Sequence, residues 1–131
     1  MKTAVQAPVK VSLGGRCKNR CLFCEKIVSE SKESLRIEQI PTPRTRTDRL
    51  VIWGREPALF EGLARFVESA AARGFSSIRL ETCGQAPSSA IADLKRAGVN
   101  EISIMLPAHT SSLYGKITGN PGGFDKCIAS L

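Results

Sequence analysis

The stretch LVIWGREPALFEGLARFVESAAARG, from Leu50 to Gly74, is typical of a buried β-strand that leads into an amphipathic helix. Its first four residues form the continuous apolar run expected of a parallel strand that is covered on both faces. Pro57 suits the first turn of the helix, and Gly74 suits its C-terminal cap. Apolar residues recur between them at helical spacing, namely Leu59, Phe60, Leu63, Phe66, Val67 and Ala70. The stretch therefore predicts one βα unit.

The same alternation of strand and helix extends along the whole chain. Further strands are predicted at Val9–Leu13, Ser77–Glu81 and Glu101–Leu106, and further helices at Ser34–Ile40, Ser88–Arg96 and Phe124–Leu131, the last after a glycine-rich loop over Gly115–Gly123. The second to fourth strands recur about every 25 residues, as units do in an eight-unit barrel of roughly 250 residues. No linker divides the chain. We expect an α/β fold of about four parallel βα units, in a single domain over residues 1–131.

Composition narrows the classes of partner. The 131 residues are 42% apolar and carry a formal charge of +7, but no apolar run is long enough to cross a membrane. The one densely basic loop, from Pro41 to Arg49, lacks aromatic side chains among its arginines. Such a loop is more typical of a solvated connector than of a nucleic-acid interface. We expect neither a membrane nor a nucleic acid as a partner.

Three cysteines within eight residues, Cys17, Cys21 and Cys24, have the spacing C-x3-C-x2-C. Cubane iron–sulfur clusters are normally held by four cysteines. A compact set of three therefore indicates a [4Fe–4S] cluster with one iron left open to a small molecule.

Two other uses of these cysteines are less consistent with the sequence. Zinc sites usually pair two Cys or His knuckles, but beyond the motif only Cys83, His109 and Cys127 could bind a metal, and they are scattered singly. A disulfide framework is disfavoured because five is an odd number, and because Met1–Val11 lacks the apolar segment of a signal peptide. We expect a cytoplasmic protein with reduced thiols.

Unusual segments follow each predicted strand. The cysteine loop follows the first strand, and the other three segments are Gly54–Pro57, Thr82–Gly84 and Pro107–His109. Because the carboxyl ends of parallel strands share one edge of the sheet, where ligands bind, we expect these segments to lie close together.

These motifs resemble the radical S-adenosylmethionine (radical SAM) superfamily. The cysteine motif with Phe23 before its last cysteine is similar to the family's cluster loop, and Gly54-Arg55-Glu56-Pro57 resembles its G-G-E-P segment, with Arg55 in place of the second glycine. Thr82-Cys83-Gly84 stands where the family has T-N-G, and Leu113–Phe124 resembles a recurring stretch after the fourth strand. The resemblance covers about Pro8 to Leu131.

The resemblance implies a cofactor set and a reaction. Cys17, Cys21 and Cys24 would hold the [4Fe–4S] cluster. Phe23 would pack near the adenine of S-adenosylmethionine or else in the core, and Gly54, Glu56 and Pro57 would line the cofactor's amino group. With electrons from an external donor, the enzyme would reductively cleave S-adenosylmethionine to a 5′-deoxyadenosyl radical, which abstracts hydrogen from an unidentified substrate.

The family's partial barrel has six βα units, roughly 190 residues by proportion to an eight-unit barrel, and this chain supplies about four. The fourth strand is then expected to end the sheet as an apolar edge bearing Ile102, Ile104 and Leu106, which invites self-association or a partner chain. The sequence leaves three interpretations open: a fragment incomplete at its C-terminus, a half-barrel completed by a partner, or a minimal enzyme.

Two further residues are candidates for chemistry. Cys83 could be a radical relay, a fourth cluster ligand or a small core residue, and His109 could meet the substrate. Cys127 is expected in the core. Two alternatives to this function remain. In the first, Cys83 is the fourth cluster ligand of an iron–sulfur electron-transfer or scaffold protein without S-adenosylmethionine chemistry. In the second, the chain is an inactive fragment.

Overall fold

A computed structural model describes residues 6–13, 17–24 and 40–131. In these parts of the chain, four strands form one open, all-parallel sheet in the order of the chain, β1 (Val9–Leu13), β2 (Arg49–Gly54), β3 (Ser77–Thr82) and β4 (Glu101–Ile104). The predicted α/β class and the parallel pairing are confirmed. The helix predicted at Ser34–Ile40 lies outside the described residues except for Ile40, which is buried and outside any helix.

Within the described residues, four α-helices accompany the sheet, α1 (Leu63–Ala72), α2 (Ser88–Ala97), α3 (Ser111–Thr118) and α4 (Gly123–Ala129). The prediction for α2 is confirmed to within one residue, and Gly98 caps its C-terminus as expected. None of the helices in the described part of the chain has the length and apolarity that a bilayer crossing requires.

The helix predicted to begin at Pro57 begins six residues later, which corrects that boundary. Pro57–Leu59 form a separate 3-10 helix, where the side chain of Glu56 accepts a hydrogen bond from the amide of Ala58. Gly62 then adopts a left-handed conformation (φ 82°) and starts α1. A left-handed residue cannot continue a right-handed helix, so the apolar periodicity runs across two short helices.

Helix α3 was not predicted, because its sequence reads as part of a glycine-rich loop. The hydroxyl of Thr110 caps it by accepting from the amide of Leu113. Gly115 lies inside this helix, and its backbone packs against Pro121. A side chain would not fit there easily, because a Cβ would be 3.1 Å from the proline. A helical glycine costs about 1 kcal/mol, and burial of Tyr114 on the same helix offsets this cost.

The main core lies between the sheet and helices α1 and α2. Strand β3 alternates, with Ile78 and Leu80 buried and Arg79 partly exposed. The helices supply apolar side chains from one face each, among them Leu63, Phe66, Val67, Ala70 and Leu94. A second, smaller cluster surrounds Tyr114 and Cys127, so the prediction that Cys127 belongs to the core is confirmed.

Strand β4 is an edge of the sheet in the described part of the chain, since it pairs only with β3 there. It ends at Ile104 rather than at the predicted Leu106, because β3 ends at Thr82 and offers one last acceptor to the amide of Met105. Ile102 is 37% exposed, and Met105 and Leu106 are also exposed. Unpaired backbone beside exposed apolar side chains is a template for strand pairing.

We therefore predict concentration-dependent association of the isolated chain through β4. Sedimentation velocity at several protein concentrations should show a rising mean mass, and Ile102→Lys should lower it because a charge on an edge strand opposes pairing. Leu113→Lys, on an equally exposed apolar residue of α3, is the matched control. A protein that stays monomeric at every concentration would contradict the prediction.

Candidate metal and cofactor site

The segments that follow β1, β2 and β3 meet at the carboxyl edge of the sheet. Cys17 Sγ lies 3.8 Å from Cys83 Sγ, and Cys83 Sγ donates to Glu56 Oε2 at 2.6 Å. Of the four segments expected to lie close together, these contacts join three. His109 is exposed on the loop between β4 and α3, and the contacts that join Cys17, Cys83 and Glu56 do not include it.

The carboxylate of Glu56 joins the end of β2 to the end of β3. Only 1% of Glu56 is exposed. Its Oε1 accepts from the Ala58 amide (3.1 Å) and the Thr82 hydroxyl (2.6 Å), and its Oε2 accepts from the amide and the thiol of Cys83. A carboxylate has about four acceptor positions, so all are occupied. Any cationic ligand has to displace a donor, and the thiol is the weakest of the four.

Gly54 lets the ends of β1 and β2 approach each other. Its φ is 149°, and a Cβ at this position would lie 2.0 Å from the carbonyl oxygen of Leu13. The strand that leads into the cysteine loop therefore passes the G-x-E-P segment at a distance that only glycine permits. Pro57 is buried in the first position of the 3-10 helix.

Arg55 carries a buried donor without a partner in the described part of the chain. The donor is Nε of its guanidinium group. The hydrogen bond with Cys83 is the main cause that lowers the pKa of Cys17, and the positive charge of Arg55 lowers it slightly further. A buried donor left unpaired costs about 1 to 3 kcal/mol. An anionic group at this edge of the sheet would satisfy it.

The cysteine loop presents its side chains at the same edge. Cys17, Cys21 and Cys24 are each half-buried, and the amide of Cys24 donates to the carbonyl of Cys21 at 3.0 Å. Phe23 is 51% exposed, which rules out the core role and leaves its ring free to stack on a ligand.

The cysteines of the loop are suitable ligands for an iron–sulfur cluster, but their arrangement in this conformation is not that of a metal site. Among the described residues, no group of three or more His, Cys, Asp or Glu side chains is gathered closely enough to hold a metal ion. The donors nonetheless fit in kind, because three partly exposed thiols share one short loop, and the charge of Arg55 reaches the first of them, Cys17. Metal-binding sites often form only when the metal binds. The three cysteines therefore have to move closer together to hold a cluster.

Neighbouring groups change the acidity of the thiols in opposite directions. A hydrogen bond from Cys83, against the opposing effect of burial, lowers the pKa of Cys17. The hydrogen bond to Cys17, burial and the charge of Glu56 raise the pKa of Cys83. Cys17 is therefore the more acidic of the two thiols.

A buried polar network, for which the sequence carries no local signal, attaches the cysteine loop to the last two helices. Asn19 Nδ2 donates to the hydroxyl of Tyr114 (3.2 Å), and Asn120 Nδ2 donates to Asn19 Oδ1 (2.9 Å). Gln85 Nε2 donates to the same hydroxyl (3.0 Å) and to the carbonyl of Gly123 (3.0 Å). The network brings together residues 101 positions apart, and no local pattern signals such a contact.

Backbone hydrogen bonds strengthen the same attachment. The amide of Arg20 donates to the carbonyl of Thr118 (2.6 Å), and the amide of Leu22 donates to the carbonyl of Ile117 (2.9 Å). The C-terminal end of α3 therefore fixes the middle of the cysteine loop, between Cys17 and Cys24.

We predict that Tyr114→Phe lowers the free energy of unfolding by about 1 to 3 kcal/mol, because it removes the acceptor shared by Asn19 and Gln85. Urea unfolding followed by circular dichroism measures the change. Ser112→Ala, on the exposed side of α3, is the control. Equal unfolding midpoints for Tyr114→Phe and the unaltered protein would show that the network does not stabilise the fold.

Comparison with protein-family models and with curated proteins finds no match to this chain. Assignment of a function therefore depends on the residues at the carboxyl edge of the sheet.

Proposed function

We propose that the chain is a radical SAM protein that binds a [4Fe–4S] cluster through Cys17, Cys21 and Cys24 and binds S-adenosylmethionine at the open iron. The observation that carries the proposal is the contact of Cys17 with Cys83 and of Cys83 with Glu56, which joins the cysteine loop to the G-x-E-P segment. When bound, the reduced cluster would supply the electron that cleaves S-adenosylmethionine for hydrogen abstraction from an unidentified substrate. Reduced thiols and an external electron donor are consistent with a cytoplasmic protein.

Two charged side chains suit the two charged groups of the cofactor's methionine part. Glu56 would accept the ammonium group once the Cys83 thiol leaves Oε2, exchanging a weak donor for a charge-assisted hydrogen bond. The unpaired Nε of Arg55 would donate to an anionic group beside the thiols, and the cofactor carboxylate is such a group. Arg55 thus adds a donor where the family has glycine.

The remaining residues orient the site and shield it. Phe23 offers an exposed ring for the adenine to stack on. Gly54 holds the entry of the cysteine loop against β2, while the polar network around Tyr114 holds the middle of that loop. These contacts let the three cysteines close around a metal without releasing the rest of the loop.

We predict that S-adenosylmethionine changes the electron paramagnetic resonance spectrum of the reduced, reconstituted protein and that Glu56→Gln weakens this response. Loss of one charge-assisted contact costs about 1.5 to 3 kcal/mol, or roughly a tenfold to hundredfold weaker binding. Titration of the spectral change with S-adenosylmethionine gives the apparent Kd. Iron content should not change, because the carboxylate contacts the ligand.

Thr82→Val is the matched control for Glu56→Gln. It removes the donor to Glu56 Oε1 but leaves the carboxylate charge in place. If both variants weaken the response equally, Glu56 only joins the two loops. If Glu56→Gln binds S-adenosylmethionine as well as the unaltered protein, the assigned ammonium contact is wrong.

A four-thiolate electron carrier is the second candidate, because Cys83 Sγ already lies beside Cys17 Sγ. In that case Cys83→Ser would lose the cluster, and S-adenosylmethionine would leave the spectrum unchanged. In the radical SAM protein, Cys83→Ser keeps the iron and the response. The carboxylate of Glu56 beside Cys83 favours the radical SAM protein, because a four-thiolate electron carrier has no need of a carboxylate there.

A further inference from the structure

Two thiols from distant parts of the chain lie in contact at the edge of the sheet. Cys17 Sγ and Cys83 Sγ are 3.8 Å apart, although 66 positions separate them in the sequence. A disulfide bond is about 2.05 Å long, so the sulfur atoms have to approach by less than about 2 Å. We propose that Cys17 and Cys83 form a reversible disulfide by exchange with a low-molecular-weight disulfide of the glutathione class.

Contacts other than the one between the two sulfur atoms hold both cysteines in place. The amide of Cys83 donates to Glu56 Oε2 at 2.9 Å, and the next residue, Gly84, packs closely against the backbone of Cys127. On the other side, Asn19 is buried in the polar network two residues after Cys17. The backbones on both sides are therefore anchored beside the point where the two sulfur atoms meet.

The reaction proceeds by two exchange steps. Cys17 is the more accessible thiol, since it is half-buried and Cys83 is buried. The Cys17 thiolate attacks the small disulfide, which forms a mixed disulfide and releases one small thiolate. Cys83 then attacks Cys17 Sγ and expels the second small thiolate, which takes the proton that Cys83 loses. Two protein thiols are oxidised and one small disulfide is reduced to two thiols.

The other cysteines offer less direct partners. Cys127 Sγ lies against the carbonyl of Met105 at 3.6 Å inside the small core. Cys21 and Cys24 share the loop with Cys17, but Cys17 Sγ has its hydrogen-bonding contact with Cys83. The geometry thus selects the pair that links two different strand ends.

The effect of this disulfide on cluster binding rests on the proposed function. A disulfide at Cys17 removes one of the three cluster ligands, so the oxidised protein cannot assemble the cluster. Reduction by a thiol restores the ligand, because exchange is reversible. The pair would preserve an empty site from irreversible oxidation of Cys17 until iron and reductant return.

The test uses the metal-free protein and oxidised glutathione. After oxidation, blocking of free thiols and trypsin digestion, mass spectrometry should find Cys17-Lys18 joined to Leu80–Lys95, with a mass lower than that of the two separate peptides by two hydrogens. Trypsin separates Cys17 from Cys21 and Cys24 by cutting after Lys18 and Arg20. Dithiothreitol should release the pair. The oxidised protein should fail to take up iron and sulfide until that release.

Two variants complete the test. Cys83→Ser should leave Cys17 as a stable mixed disulfide with glutathione, visible as a mass adduct, whereas Cys127→Ser should keep the Cys17–Cys83 link. Absence of the linked peptide in the unaltered protein, or a Cys21–Cys24 disulfide in its place, would overturn the proposal. A link that forms in a protein that never takes up iron would support the disulfide and refute the cluster.

Discussion

Gly54→Ala is expected to unfold the protein or destabilise it by more than about 4 kcal/mol, which is exceptional for a single substitution. A Cβ on residue 54 would lie 2.0 Å from the carbonyl oxygen of Leu13, and that oxygen belongs to the backbone and cannot rotate away. Relief requires separation of the ends of β1 and β2, which pair at Leu13 and Gly54. Urea unfolding measures the loss against a typical total of about 5 to 15 kcal/mol.

Gly62→Ala is the matched control for this effect. Gly62 also has a positive φ, at 82°, but a Cβ there would meet nothing within 4 Å. Its expected cost is the conformational strain alone, about 1 to 2 kcal/mol. If the two variants unfold at the same urea concentration, the close approach of the two strands is not what requires glycine at position 54.

Serine at Cys17, Cys21 or Cys24 is expected to abolish uptake of iron, because a three-thiolate site that loses one ligand retains too few for a cubane cluster. Each variant is reconstituted anaerobically with iron and sulfide, and bound iron is then measured per chain. Near-complete loss is expected in all three variants.

Cys127→Ala is the control for these losses, since Cys127 is fully buried in the small core around Tyr114. It should retain the iron content of the unaltered protein. Retention of iron in any of the three loop variants would remove that cysteine from the ligand set, and loss in Cys127→Ala would indicate a general failure of folding.

The sheet could be predicted from the sequence because each strand is a short apolar or alternating run between clear boundaries. Leu50–Trp53 predicted the buried centre of β2, and Gly98 marked the end of α2. Chain order then predicted parallel neighbours, since consecutive βα units lie side by side. These features depend on residues close together in the chain.

Helix boundaries depended on contacts that a local pattern does not contain. The start of α1 is set by the left-handed Gly62, and α3 exists because Tyr114 is buried and Gly115 packs against Pro121. Local propensity disfavours a helix at Gly115, and tertiary packing outweighs it.

The candidate site could be predicted from the sequence in part. The approach of Cys17, Glu56 and Cys83 followed from their positions after neighbouring parallel strands. The full occupation of the Glu56 carboxylate did not follow, nor did the network of Asn19 and Tyr114, because both are built from side chains that meet only in the folded chain.

The most direct test of the account is the metal content of the unaltered protein after anaerobic reconstitution. We predict about four irons and four sulfides per chain, with a reduced-state electron paramagnetic resonance signal that S-adenosylmethionine shifts. Tightly bound zinc, or iron below one atom per chain with no cluster signal, would contradict the account.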